Sequence, residues 1–405
     1  MLSGGLIRSQ VIEGLVLDKS TREGIPYVNI SIPGSGLGTV SQFDGHFKLD
    51  AGDRPAGMDS LVFSVVGYIK KGILIREEMD TIFVMLEPAS FGLDAVLVSP
   101  KSPEEYIQMA VDKIPDNYID KAFNGTLYQR SLIRLNGHFL ESTEAIMKGY
   151  IMPVVDDKKD STRIKMLAFK YFDEEEKALG SIITKKRKKK PNKVAIEGLD
   201  SIMVNLGKDI SEGFDIYTQV DSNFIKQLYH EGPQIEKTRF WFGKLLFRGK
   251  RQVLNIGFKG RLGGVAEQHG RVLLDYESLA IESFGIQIRT SSLKIKALLL
   301  LFGIRFHGAD VVVRFNSIPT DKGWIPDLMS IDVFVDLEKI RIFSKNVPVM
   351  VEVNTYTRFL DVEVPGSDEC RTGQLVKKHT ALKKQFKSDP SNPLWEKYAD
   401  QIKKN

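Results

Sequence analysis

Cysteine is nearly absent from this chain: Cys370 stands alone among 405 residues. That excludes an internal disulfide and any metal site built on a cysteine cluster. A catalytic thiol needs a partner that lowers its pKa, and the surroundings of Cys370, just after the Pro365-Gly-Ser367 turn, supply no sign of one. Histidine is scarce as well. His46, His138, His230, His269, His307 and His379 are the six present, and none lies two, three or four residues from another. Strand or helix zinc pairs are thereby excluded. His230-Glu231 has no second histidine to complete a zinc-protease motif. There is no Gly-x-Ser-x-Gly elbow, no Walker loop and no dinucleotide fingerprint at a strand–helix junction. Long hydrophobic runs are also missing. The longest aliphatic stretch, Ala297-Leu-Leu-Leu-Leu-Phe302, falls far below the ~20 residues that cross a bilayer as a helix. The opening Met1-Leu-Ser-Gly-Gly-Leu-Ile7 lacks the charged start and apolar core of a secretory signal.

Charge of one sign is in short supply too. A formal net charge of +5 on 45.6 kDa is too small to imply a nucleic-acid partner. Hydrophobic content of 42% and a mean hydropathy of -0.16 describe an ordinary soluble composition, with length enough for two or three domains. Much of the positive excess sits in one run, Lys185, Lys186, Arg187, Lys188, Lys189 and Lys190. Such a hexamer is a candidate contact for phosphate groups or an anionic membrane surface. No aromatic residue interleaves with it, which speaks against single-stranded nucleic acid, and a solvated loop is the plainer reading. The acidic clusters Asp156-Asp-Lys-Lys-Asp160 and Asp173-Glu-Glu-Glu-Lys177 read as solvated faces rather than acid–base pairs.

What the chain does have is alternation. Val11–Asp18, Ile25–Ile32, Ser60–Tyr68, Thr81–Leu86 and Leu93–Val98 carry strand patterns, and Thr39–Leu49 reads as strand, turn, strand through Asp44-Gly45. Asp44 alone cannot make a calcium loop, which needs several oxygen ligands at set intervals. About seven short strands at roughly 8–12-residue spacing predict an antiparallel β-sandwich.

Gly14-Leu-Val-Leu-Asp18, Ile25-Pro-Tyr-Val-Asn-Ile30, Gly38-Thr-Val-Ser-Gln-Phe-Asp-Gly-His-Phe47, Phe63-Ser-Val-Val-Gly-Tyr68 and Leu93-Asp-Ala-Val-Leu-Val98 carry a resemblance. In order and spacing they resemble the carboxypeptidase-regulatory-like domain, over about a quarter of the chain. That resemblance implies a transthyretin-like sandwich without catalytic residues of its own. Such domains are accessory modules of some metallocarboxypeptidases and N-terminal extensions of many Bacteroidetes outer-membrane proteins. It therefore implies an exported protein of the periplasm or outer membrane. A mature fragment, or a start placed too late, would account for the missing export signal.

After the Ser99-Pro-Lys-Ser-Pro103 linker, residues 103–114 read as a helix. Ser102 is the N-cap, Pro103 opens the first turn, and Ile107, Ala110, Val111 and Ile114 form one apolar stripe ended by Pro115. Strands follow over Gly125–Leu135 and His138–Tyr150, joined by an Asn136-Gly137 turn. The pieces Ile114-Pro-Asp-Asn-Tyr118, Tyr128-Gln-Arg130 and Glu141-Ser-Thr-Glu-Ala145 are similar to proteins where this domain precedes a β-rich region. Further strands are predicted over Thr238–Phe247, Gln252–Phe258, Gly270–Tyr276, Leu279–Phe284, Ser292–Leu301, Val311–Phe315, Leu328–Val335 and Pro348–Tyr356. They build a large antiparallel sheet from Gly125 to Val364, curved into an open barrel or half-barrel. Asn255-Ile-Gly-Phe258, Gly270-Arg-Val-Leu-Leu-Asp275 and Ala280-Ile281 resemble lipoprotein-carrier half-barrels, which wrap a sheet around a helix and hold lipid in the concavity. The tail is polar, with helices predicted over Thr380–Lys387 and Asn392–Ile402, the second docked by Leu394, Trp395 and Tyr398.

The fold class expected is mainly β. Its parts are a sandwich over 1–98, a linker and helix over 99–116, a β-rich domain over 117–366 and a helical tail over 367–405. The functional expectation is a non-catalytic envelope protein with no cofactor and no transmembrane helix, whose partner is an envelope protein, lipid or glycan. A hydrophobic-ligand carrier and a hydrolase with a dispersed site stay open beside it.

Overall fold

The computed structural model describes residues 11–33, 38–87, 101–154, 162–173, 217 and 238–403, apart from short loop stretches within them. The chain divides into two compact units. One holds residues 1–98 and 243–255 with the last residue; the other holds 99–242 and 256–404.

The first unit begins with β1 (Val11–Asp18), β2 (Asn29–Ser31), β3 (Gly38–Val40), β4 (His46–Asp50), β5 (Ser60–Ser64), β6 (Lys71–Leu74) and β7 (Thr81–Leu86). They form two small sheets, ordered β4-β1-β7 and β3-β2-β5-β6. Period-two alternation turns Ile12 and Val16 of β1, Phe47 and Leu49 of β4 and Val84 and Leu86 of β7 inward. From the other sheet they meet Ile30 of β2 and Leu61 and Phe63 of β5 in one buried cluster. The Phe47 and Phe63 rings touch edge to face at 5.6 Å. Each such side chain contributes about 1.5–3 kcal/mol by leaving water. Gly45 takes φ +87° at the expected hairpin bend. One pairing departs from the antiparallel expectation: β1 and β7 run parallel. They are remote in sequence, so no tight hairpin dictates their direction. The predicted strand Ile25–Ile32 shortens to Asn29–Ser31. Strand β6, Lys71-Gly-Ile-Leu74, has no alternating apolar side and was not expected. Leu93–Val98 lies outside the described residues.

In the second unit, α1 (Pro103–Asp112) starts on a reciprocal capping box. The Glu105 backbone N–H donates to Ser102 Oγ at 3.3 Å, and the Ser102 N–H donates to the Glu105 carboxylate at 2.6 Å. That backbone hydrogen bond holds the Glu105 carboxyl below its ordinary range. Ile107, Ala110, Val111 and Ile114 are all buried, as the stripe predicts. Pro115 ends α1 but also sits in the first turn of the short α2 (Ile114–Asn117).

The large sheet then forms from β8 (Phe123–Leu135), β9 (His138–Ile151), β10 (Arg163–Asp173), β11 (Thr238–Phe242), β12 (Leu246–Arg248), β13 (Arg251–Leu262), β14 (Ala266–Asp275), β15 (Ile281–Thr290), β16 (Ile304–Thr320), β17 (Gly323–Lys339) and β18 (Val347–Glu363). Its order is β10-β9-β8-β18-β17-β16-β15-β14-β13-β11, with β12 also on β13, and it does not close. The meander from β13 to β18 returns beside β8, in antiparallel register from Val351↔Leu135 to Glu363↔Asn124. Thr238–Phe247, expected as one strand, breaks at Gly243 into β11 and β12. Ser292–Leu301, expected as a strand, is instead a helix, α3 (Leu293–Leu300), between β15 and β16. Its Leu-Lys-Ile-Lys-Ala-Leu-Leu-Leu sequence is rich in strong helix formers, and a short apolar run carries no period that separates the two states.

Core residues sit on both faces. Ile133, Ile331, Val333, Val335, Val349, Val351 and Val353 belong to one cluster, and Leu127, Met147 and Phe169 to a second. Tyr128, Ile146 and Ala168 form a third on the opposite side of β8–β10. The tail wraps from one face to the other around the edge strand β10. Leu382 of α4 (Leu382–Gln385) and Phe386 pack on the Leu127 cluster. Leu394, Trp395 and Tyr398 of α5 (Leu394–Lys397) and its end, with Ile402 of α6 (Ala399–Lys403), pack on the Tyr128 cluster. In passing, the tail meets the outer backbone of β10. Met166 N–H donates to Gln374 O at 3.1 Å, Val376 N–H to Ile164 O at 2.8 Å and Asp389 N–H to Phe169 O at 2.7 Å. Tyr171 N–H donates to Ser388 Oγ at 3.0 Å. An open strand edge is a template for unwanted pairing, and here it is covered.

Candidate functional site

The polar groups of the large sheet gather in a cross-strand ladder over β16, β17, β18 and β8. Arg314 of β16 donates from Nη1 to Ser330 Oγ at 2.8 Å and to Asp332 Oδ2 at 2.7 Å. Asp332 Oδ1 accepts from Asn354 Nδ2 at 2.8 Å, and Asn354 Oδ1 accepts from Arg134 Nη1 at 3.2 Å. Register explains the line: Arg314 faces Ser330 directly, and Asp332 faces Asn354. Period two places these residues on the side opposite Ile331, Val333, Val351 and Val353. The Asp332 side chain is only 7% exposed, so its pairing is strengthened by low surrounding polarity. Further along the same face Arg289 grips Asp310 from Nε at 2.8 Å and Nη2 at 3.3 Å, and Gln287 also donates to Asp310. Ser283 Oγ donates to Asn316 Oδ1 at 2.8 Å.

A second polar group ties the tail to β9 and β10. Lys383 of α4 pairs with the buried Glu141 carboxylate and lies 5.0 Å from the Tyr171 ring centroid. The Tyr171 hydroxyl donates to Asp173 at 2.6 Å. Burial, then the Asp173 and Glu141 carboxylates, push the Tyr171 phenol well above its ordinary range. Nearby, Lys170 Nζ sits 3.8 Å over the Trp395 ring, a cation–π contact. In both groups the carboxylates face cations or hydroxyl donors. Chemically this is bracing between strands, with the carboxylates held by protein donors.

The histidines described do not converge. His269 on β14 is buried, and burial, then the Lys259 and Arg289 charges, hold its imidazole below the ordinary value. His307 on β16 lies 4.0 Å from Glu338, which Arg305 also contacts. Among the described residues, no three His, Cys, Asp or Glu side chains are grouped as metal ligands would be. Cys370 is buried, with Sγ donating to Lys148 O at 3.3 Å. The basic run Lys185, Lys186, Arg187, Lys188, Lys189 and Lys190 lies outside the described residues, as do His230, His379 and Asp156–Asp160.

Sequence reasoning missed the Arg314–Asp332–Asn354–Arg134 ladder, whose members lie up to 220 residues apart. Its trace is a polar residue at every second place in valine-rich strands, as in Ile331-Asp-Val333 and Val353-Asn-Thr355. It also missed an exposed apolar surface at α3. Leu293 is 80% exposed, Leu300 55% and Leu301 82%. No helix among the described residues is long and apolar enough to cross a membrane.

Seven short strands in two facing layers define a transthyretin-like β-sandwich between Val11 and Leu86, and the later strands define an open antiparallel sheet. Residues 12–98 match the CarboxypepD_reg-like domain, and the N-terminal part of the chain is a domain of that family. A search of curated proteins finds no match. Among solved structures, the chain is similar to a Vibrio parahaemolyticus domain named for outer membrane lipoprotein sorting. Identity there is 11%, the TM-score 0.22, and 66% of this chain and 95% of that one are covered. It is also similar to the MucA/MucB complex of Pseudomonas aeruginosa (8% identity, TM-score 0.16, 69% and 99% covered). Lipovitellin aligns at 10% identity and a TM-score of 0.27, over 68% of this chain and 28% of its own. At these TM-scores the likenesses carry no functional argument.

Proposed function

We propose that this chain is a non-catalytic protein of the cell envelope, placed in the periplasm or against the outer membrane, and that its large sheet is a binding scaffold. The CarboxypepD_reg-like sandwich then serves as a structural or docking module. The observation that carries this reading is the polar ladder of β16, β17, β18 and β8. Its side chains are hydrogen-bonded to one another across four strands and stiffen a broad surface. An acid–base site instead holds groups with pKa values pushed apart and poised toward a substrate. The test is metal analysis of the purified protein together with a peptidase and esterase screen. Stoichiometric zinc with turnover would overturn the reading; a metal-free, inactive protein agrees with it.

A hydrophobic-ligand carrier is the second reading. It draws on the apolar face of β16, β17 and β18, where Phe306, Ile331, Val333, Val335, Val349 and Val351 share one buried cluster. Native mass spectrometry of protein taken directly from cells decides between them. A co-purifying lipid of constant mass supports the carrier, and a bare chain removes it.

A further inference from the structure

The helix α3 presents leucine to water where the chain passes from β15 to β16, two neighbouring strands inside the large sheet. Leu293, Leu300 and the following Leu301 are, among the described residues of the second unit, the most exposed large apolar side chains, at 80%, 55% and 82%. At about 100° per residue, Leu293 and Leu300 fall within roughly 20° of each other on the helix wheel. Lys294 and Lys296 fall on either side of that line. The inner side is anchored, since Leu299 packs against the buried cluster of β16, β17 and β18. The exit is fixed as well. Gly303, at φ +70°, donates to Leu300 O at 3.0 Å, and Ile340 N–H donates to Gly303 O at 2.8 Å. A left-handed glycine closing a helix in this way sets where the last turn points. The exposed leucines are thus held outward rather than left to fold back.

Charge identifies the occupant. From Arg289 to Arg305 the sequence holds Arg289, Lys294, Lys296 and Arg305 and no carboxylate. The two arginines are neutralised on the flanking strands, by Asp310 and Glu338. The lysines of the helix interleave with its leucines. Leucine that enters an acyl boundary while lysine stems reach back to headgroups is the chemistry of an interfacial anchor. A protein partner would place carboxylates against this helix; a bilayer with anionic headgroups offers both apolar depth and negative charge on one surface.

We infer that α3 is a membrane-surface contact that seats the β15–β16 turn of the sheet on an anionic phospholipid bilayer. The contact is peripheral, since eight helical residues reach only the headgroup boundary.

The full chain is mixed with vesicles of phosphatidylcholine alone or with phosphatidylglycerol, and floated on a density gradient. Binding is expected to the phosphatidylglycerol vesicles and to weaken with added salt. The double variant L300E/L301E should lose at least about tenfold in apparent affinity, and K294E/K296E should lose the preference for anionic lipid. Leu300 and Leu301 face solvent, so the melting temperature of L300E/L301E should match the parent, which separates lost binding from lost folding. No flotation with the parent chain, or flotation that L300E/L301E leaves unchanged, overturns the inference. So does light scattering that shows a dimer split by L300E/L301E without vesicle binding, for then a second copy covers the helix.

Discussion

Asp332 holds together groups from three neighbouring strands, accepting from Arg314 and Asn354. Replacing it with alanine removes the carboxylate to which Arg314 and Asn354 both donate, in a largely buried site. Asp332→Ala is expected to cost about 3 kcal/mol, read from urea unfolding; a loss within the usual surface range would mean the ladder is ornamental. His269 makes a pH prediction. Its folded pKa is depressed below the ordinary value of about 6.5 by burial first, then by Lys259 and Arg289, with Glu267 and Asp310 opposing. The unfolded chain therefore takes up the proton more readily. The stability His269 contributes is full above the unfolded value and is lost as pH falls through the folded one. On acidification from about pH 7.5 to about pH 5, the melting temperature of His269→Gln should fall less than that of the parent. Parallel curves would assign the acid sensitivity elsewhere. Neither residue announces itself in sequence, because what makes them matter is the register of strands far apart along the chain.

Helix α1 was legible down to its first residue. Ser102, Pro103 and Glu105 are local signals, and local hydrogen bonds decide a helix start. Ser102→Ala should lower stability by about 1 kcal/mol, measured by thermal melting. Strands β1 and β7 were legible end to end because β-branched and other apolar residues fill both. The misread element is α3. Nothing in Leu293–Leu300 alternates, and the sequence cannot say that its outer leucines face water until β15 and β16 fix its ends. Strand β6 escaped because both its sides are largely exposed, leaving no apolar period. Within the sheets, aromatic rings lie over glycines directly opposite them: Phe47 over Gly14 and Trp241 over Gly257. A Cβ at Gly14 would collide with Ile82 O and the Phe47 ring, whereas one at Gly72 meets nothing within 4 Å. Gly14→Ala should therefore cost about 1–3 kcal/mol, and Gly72→Ala less than about 0.5 kcal/mol. Equal melting temperatures for the two variants would contradict the packing described.

At the scale of the molecule, the large sheet has a linear order and so has ends. One end, β10, is clasped by residues 374–376 and 388–389, with hydrophobic anchors on both faces. A chain stopped after residue 373 should associate through that strand, seen as growing light-scattering mass at constant secondary structure; a monomeric truncation would show that the clasp is dispensable. The general fold class was readable because period-two patterning is redundant over many strands. The clasp was not, since Gln374, Ser388 and Asp389 act largely through backbone groups and short polar side chains that any loop could carry. The order of synthesis gives this clasp a further consequence. Every described strand of the sheet precedes residues 374–402 in the chain, so each emerging molecule, on the far side of the export channel, passes through an interval with β10 bare. Crowding of emerging chains, or the lack of a chaperone to shield the strand during that interval, should raise the insoluble fraction without changing a single residue.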